Sequence, residues 1–431
     1  MQKIDHAQGY VTDATYQDKY YREMAPSWLN YVVSTNGGES RNLAKPFNYL
    51  ELGCGFGHCI LTHAGTFPHA NFYACDIIPE HIQKAQQLAN QFGIENVELL
   101  TASFESLLRD HQLPDMDFIV LHGVYSWVGK AARESIKQIL ANKLKPGGIV
   151  YISYNCLPGW AAESPLRKLM VELAQTGTGD AAKRSEQALD SLSSLSEHLA
   201  YFKEQKTAQE AIKTYLDQPG NYLAHEFLND AWETFYSVDI ADEMQSVGLH
   251  FLASATLVDN HPMLLVNDST QQKIQSLATE RQRQLAYDFA MNKRFRRDVF
   301  VAGKPAVDQL TLVKNIQQCT IGCTGSAAAI RDFIQVPRGK IGFYQEFIHN
   351  LRLLLTEGPI ALGDIATRLG SSDPVETIRN IMFMVAAGEL SAFSGLPESS
   401  DVTNKKIKHL ALWTNRDNQT GASTCWFYSA Q

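Results

Sequence analysis

The sequence predicts an α/β protein built on a doubly wound parallel sheet, with a helical insertion and mostly helical C-terminal additions. Three observations carry this. Between residues 47 and 154, short apolar runs alternate with stretches of helical period, as strands joined by crossover helices do. The string Gly53-Cys54-Gly55-Phe56-Gly57 falls where the first run ends. An acid, Asp76, ends the second run. Open sheets of this class hold ligands at the carboxyl ends of their strands, with a glycine turn after the first strand and an acid after the second.

The elements follow in order. Residues 1–45 are aromatic and polar, with Tyr10, Tyr16, Tyr20, Tyr21 and Trp28, and are expected to cover the ligand site. Residues 17–33 read as one or two helices broken at Pro26, and Asn36-Gly37-Gly38 reads as a turn. Strands are expected at 47–52, 71–74, 97–100, 118–121 and 149–154. Helices are expected from 59, over 80–92 and over 131–144, with Pro146-Gly147-Gly148 as a turn. Residues 160–230 read as an insertion, in which Leu189, Leu192, Leu195, Leu199 and Phe202 recur at helical spacing. Pro219-Gly220-Asn221 closes it. Strands at 234–238 and 251–256, around a helix at 241–247, then complete a catalytic unit spanning 46–266. Residues 267–339 read as a helical middle domain. Residues 340–431 carry a winged-helix-like pattern: Gly358-Pro359, helices over 362–369 and 375–387, and the turn Gly388-Glu389-Leu390.

Composition narrows the class. A 45% hydrophobic, 19% charged chain is globular and not disordered. A formal charge of -8 argues against a general nucleic-acid binder, and residues 340–431 hold 8 Lys+Arg against 9 Asp+Glu, so no DNA partner is expected. Seven scattered cysteines, an odd number, suggest reduced thiols in a cytoplasmic protein. Cys319 and Cys323 lack companions at zinc spacing, so no metal is expected. The N-terminus does not read as a signal peptide, and the apolar runs around 118–128 and 381–387 are too short to span a bilayer. Lys293, Arg294, Arg296 and Arg297, interleaved with Phe295, read as a solvated or salt-bridged helix face.

The glycine loop decides the ligand. A dinucleotide fingerprint would place its third glycine at position 58, which is His58. Glu51 at the strand end, followed by glycine at alternate positions, resembles instead the first motif of class I S-adenosylmethionine (SAM)-dependent methyltransferases, whose fold is Rossmann-like. This resemblance implies SAM as cofactor, with its methionine part along Glu51, Gly53, Cys54, Gly55 and Gly57. It implies the ribose on Asp76 beside Ile77, the adenine flanked by Ala102, Ser103 and Phe104, and His122 nearby.

Further strings match a subgroup. They are His122-Gly123-Val124-Tyr125-Ser126-Trp127, Tyr154-Asn155-Cys156-Leu157-Pro158-Gly159-Trp160, Tyr222-Leu223-Ala224-His225-Glu226, Asp288-Phe289 and Asn292-Lys293-Arg294-Phe295-Arg296-Arg297. Together they resemble methyltransferases with a methyltransferase regulatory domain, among them bacterial protein-lysine methyltransferases of the rickettsial type. The likeness spans roughly 10–430 and implies an insertion that gates the site or forms a homodimer, and transfer to lysine amines of a protein substrate is the first reading. Tyr125, Trp127 and Tyr154 leave strand ends beside the expected methyl donor and could wall an acceptor channel; core packing explains them equally well. His122 either accepts a proton or is a structural hydrogen-bonder. Asn155 either orients an amine or shapes a turn. Transfer to a small molecule or another macromolecule, and SAM binding without turnover, are the rival readings.

Overall fold

The computed structural model describes residues 19–303 and 307–393. Five parallel strands form one side of its main sheet: β1 (Asn48–Leu52), β2 (Asn71–Asp76), β3 (Val97–Thr101), β4 (Met116–Leu121) and β5 (Leu144–Asn155). With β6 (Leu249–Ser254) and β7 (Phe295–Ala302), the order is β3-β2-β1-β4-β5-β7-β6, and β7 runs antiparallel to both its neighbours. The order reverses between β1 and β4, where sheets of this kind open a crevice for ligand.

Helices His58–Thr66, Pro79–Phe92, Phe104–Asp110 and Lys130–Lys143 make the crossovers. The second shows why such a segment is helical: Pro79 occupies the first turn and Gly93 closes the end at φ 61°. Helix Phe104–Asp110, capped by the Ser103 side chain, adds to the set expected from sequence. Every residue of β4 is buried, as a central parallel strand covered on both faces requires. Tyr49, Phe118, Val120 and Tyr151 pack on one face with Trp28, Leu29 and Val32 of the N-terminal helix Pro26–Thr35. Leu50, Leu52, Ile119 and Leu121 pack on the other with Ile136 and Ile139.

The end of the sheet departs from expectation. Residues 234–238 are not a strand: Phe235 makes a single bridge to Cys156, and the helix Ser237–Gln245 begins there. The position beside β5 is filled by β7, which carries the basic cluster that reads as a helix face in sequence. The strand is possible because its charges are matched inside. Arg296 is paired with Asp288 and Asp298, and Lys293 with Asp259 at 2.6 Å. The chain beyond 267 therefore returns to the main sheet before it leaves it.

The insertion comprises helices Ser164–Ala174, Ala181–Ser196, Ala200–Glu204, Lys206–Leu216 and Gly220–Phe227 around their own core, which includes Trp160, Leu189, Leu192 and Phe202. The leucine stripe is not one helix. It breaks after Ser196, leaving Leu195 and Leu199 exposed at 40% and 36%. At the C-terminal end, β9 (Phe333–Val336) and β10 (Gly339–Gly342) form a hairpin after β8 (Thr320–Gly322). Helices Gln345–Leu355, Leu362–Arg368 and Pro374–Ala386 join the small antiparallel sheet of β11 (Ile360–Ala361), β8 and β12 (Ser391–Phe393). This is a winged-helix-like arrangement whose central strand comes from upstream of residue 340. No helix among the described residues is long and apolar enough to cross a membrane. Tyr10, Tyr16, Cys425 and the remainder of the expected C-terminal unit lie outside the described residues.

Candidate functional site

The crevice at the ends of β1, β2 and β4 is a cavity of about 1170 Å³, counting the space open to solvent. Its floor is the glycine loop. Gly53 sits at φ 73°, and a Cβ there would fall 2.6 Å from the Val124 side chain, so this turn tolerates no side chain. The Gly53 and Cys54 amides donate to the Cys75 carbonyl at 2.9 and 3.0 Å, tying the loop to the end of β2. Gly57 is not on the cavity wall. Its φ of 81° starts helix His58–Thr66, and a Cβ would meet Ala85 at 2.8 Å. It serves helix packing at the loop's end.

Asp76 is fixed by its surroundings. Its Oδ2 accepts from the Gly55 amide at 2.9 Å, and its Oδ1 from the Ile78 amide at 3.0 Å, with the His81 ring nitrogen 3.2 Å away. A carboxylate has about four acceptor positions, so capacity remains toward the cavity. Glu51 stands beside it, buried, with Oε2 lacking any partner. Burial, and then the Asp76 charge, push the Glu51 carboxyl up to about 8 against a backbone hydrogen bond from Ile60. Ile77, Ala102, Ser103 and Phe104 line the same cavity.

His122 is in the wall, and its Nδ1 lies 2.7 Å from the Tyr151 hydroxyl. Burial, with Arg297 adding to it, lowers its pKa to about 3, so the ring is neutral. Tyr21 stacks on it at 3.7 Å. Trp127 also lines the cavity, with a buried Nε1 that has no partner.

The three aromatic residues expected to wall a channel are not brought together at the cavity. Tyr125 is fully buried among core residues and donates its hydroxyl to Glu243 at 2.5 Å. Tyr154, equally buried, donates to Asp298 at 2.5 Å. Both rings pack near Phe235, so only Trp127 reaches the cavity. The Asn155 backbone N–H donates to Ser126 Oγ at 2.8 Å, and its side chain lies outside the cavity wall, beside Glu226.

Sequence reasoning passed over Tyr21, Met24, Phe56, His58, Cys59 and His81 as wall residues. Phe56 and His58 stood inside the quoted loop and could have been read from it. His81 lies one turn beyond Asp76, and its ring packs 4.5 Å from that of Phe56. Tyr21 and Met24 come from the N-terminal segment, with the Met24 carbonyl accepting from the Tyr49 hydroxyl at 2.9 Å.

A ligand fits these features. Glu51 and Trp127, each with an unmatched polar atom, line a cavity floored by bare backbone, and an amino-acid-plus-nucleoside molecule offers both polar groups and a flat apolar ring. Residues 43–231 match the model of a methyltransferase domain, and residues 219–302 that of a predicted methyltransferase regulatory domain. The uncharacterized protein sll1526 of Synechocystis sp. is 34% identical over 83% of this chain and 71% of its own length. The uncharacterized protein RP789 of Rickettsia prowazekii is 29% identical over 69% of this chain and 54% of its own. Among solved structures, PKMT2 from Rickettsia typhi, also solved in complex with AdoHcy, has a TM-score of 0.70 over 89% of this chain and 78% of that one. At 20% identity, that likeness is one of fold.

Proposed function

The chain belongs to the class I SAM-dependent methyltransferases that carry a methyltransferase regulatory domain, and from that premise we propose that it methylates lysine side chains of proteins. The observation that carries this reading is the folding together of two subgroup strings. Asn155 of the first lies against Glu226 of the second, at the C-terminal end of β5 and next to the turn that holds Trp127.

SAM, when bound, supplies a methyl group on a cationic sulfur. The chain's residues do the rest. In this reading Gly53, Cys54 and Gly55 expose backbone to the methionine part, and Glu51 offers an unmatched oxygen to its ammonium. Asp76, already aligned by three neighbours, accepts from the ribose hydroxyls, while Ile77, Ser103 and Phe104 enclose the adenine. His122, bonded to Tyr151 and with its pKa lowered to about 3, is too weak a base to take the amine's proton and shapes the wall. The acceptor amine has to arrive deprotonated, which costs about 4.6 kcal/mol for an ordinary lysine at pH 7. A water-poor approach past Trp127 lowers that cost, and positioning supplies much of the rate. We place the end of the catalytic unit at Ala302, because β7 completes its sheet. A cytoplasmic location and a homodimer formed through the insertion accompany this reading.

Labelled methyl transfer from SAM to lysate proteins, with the modified residue identified by mass spectrometry, tests the proposal. Label on lysine Nζ is expected. Label confined to small molecules or to carboxylate oxygens would overturn the lysine reading while leaving the methyltransferase assignment standing.

A further inference from the structure

A second cluster of polar groups lies where β5 meets the insertion. Glu226 stands in the last turn of helix Gly220–Phe227. Its side chain is partly accessible, but Oε1 is shut off from solvent and closes no hydrogen bond. Asn155, 3% exposed, lies against that carboxylate and favours its charged form, yet its own Nδ2 closes no well-formed hydrogen bond. Trp160, 2% exposed, meets Trp232 edge to face at 5.2 Å, and both indole nitrogens are unmatched.

Of the neighbouring charges, Arg294 is engaged and Arg167 is engaged in part, its buried Nε having no partner while its charge acts on Glu226. Arg294 is held by Glu163 and Tyr215 and covers the Trp160 ring at 3.8 Å. Arg167 donates to the Asn229 carbonyl at 2.6 Å and covers Trp232 at 4.7 Å. Burial pushes Glu226 up to about 7, with Arg294, Asn155 and Arg167 opposing the rise and Glu163 adding to it. Buried polar atoms are normally matched, and each exception needs a cause. Here a carboxylate oxygen and four side-chain donors, on Asn155, Trp160, Trp232 and Arg167, are unmatched.

This place adjoins the cofactor cavity. The Asn155 amide donates to Ser126, and Ser126 shares the short helix Tyr125–Trp127 with the Trp127 that lines the cavity. The Glu233 amide closes the same turn on the Ser126 carbonyl at 2.9 Å.

We propose that Glu226, positioned by Asn155, is the carboxylate that receives the acceptor amine. The proposal rests on the protein-amine reading above and names the residue that serves it. The Glu226 carboxylate, reached from its partly accessible side, accepts one proton from the incoming ammonium, which leaves a neutral amine with a free lone pair and Glu226 as a neutral acid. That proton returns to water when product leaves.

The test uses the full chain, labelled SAM and lysate proteins as acceptors, with N-methyl-lysine counted after hydrolysis. Glu226→Gln should lose roughly 100-fold or more in rate while keeping SAM affinity and melting temperature, and Glu226→Asp should recover part of the loss. The wild-type rate should fall as pH drops below about 7, and that limb should vanish in Glu226→Gln. A Glu226→Gln variant with the wild-type rate and pH profile overturns the proposal. Should that variant melt early, Asn155→Ala keeps the carboxylate and decides: a displaced limb supports the proposal, and an unmoved one overturns it. If the wild type itself labels no amine, the reading of the preceding subsection fails, and this inference falls with it.

Discussion

Glu51 is a buried acid that keeps its proton to about pH 8 while the cavity is empty of charge. In the unfolded chain it ionises near its ordinary value of 4.5. Below that value both states hold the proton and the residue is neutral toward stability. Between 4.5 and about 8 the folded state alone holds it, so the ligand-free protein loses stability as pH rises through that window. A cation settling beside Glu51 favours the ionised form, and Glu51 should then give up its proton. Calorimetry of SAM binding near neutral pH, in buffers of different ionisation enthalpy, should read proton release in the wild type and almost none in Glu51→Gln. Equal release in both would show that the proton comes from elsewhere. Glu51, Asp76 and the glycine loop were legible in sequence because one strand–turn–helix unit and its neighbour contain them. Tyr125 and Tyr154 were misplaced for the opposite reason. Their partners Glu243 and Asp298 lie far along the chain, and no local pattern announces which way a ring at a strand end will turn.

At the scale of elements, β7 is the clearest gap between pattern and structure. Basic residues crowded around a single Phe read as a wet helix face, whereas a strand can bury Arg296 only if acids wait for it. They do: Asp288 comes from the preceding helix, Glu280–Ala290, and Asp298 lies two residues on along the strand. Arg296, Asp288 and Asp298 are each about 2% exposed or less. Removing one member of such a set leaves an uncompensated buried charge, which costs about 3–5 kcal/mol. Arg296→Ala should therefore lower the urea midpoint by that amount of stability, with the slope of the transition preserved. A loss under about 1 kcal/mol, the range of exposed pairs, would mean that water reaches these groups. The first five strands were legible because parallel strands covered on both faces are continuous apolar runs. The seventh depends on partners that only the closed sheet supplies.

For the molecule as a whole, the winged-helix-like end raises the question of DNA. Helix Pro374–Ala386 has Arg379 as its lone basic residue, and it is paired with Glu376. Arg331 and Arg368 are paired with Glu389 and Glu357. The full chain should leave the anisotropy of a labelled duplex unchanged at low salt, and binding that collapses steeply with added salt would contradict this. The helical half of the unit was legible from its glycine–proline turn and apolar spacing, but β8, its central strand, lies too far upstream to be joined to it by pattern. Helix Pro26–Thr35 packs against β12 and the main sheet alike, with the Trp28 indole donating to the Ala255 carbonyl at 2.9 Å. The strand order also sets a timetable for synthesis. β6 leaves the ribosome before β7 yet cannot join the sheet until β7 has come between it and β5. At ordinary elongation rates the nascent chain spends on the order of ten seconds with the apolar edge of β5 unpaired. During that interval a complete cofactor loop is attached to an unfinished sheet, and the newborn enzyme is at its most vulnerable to aggregation.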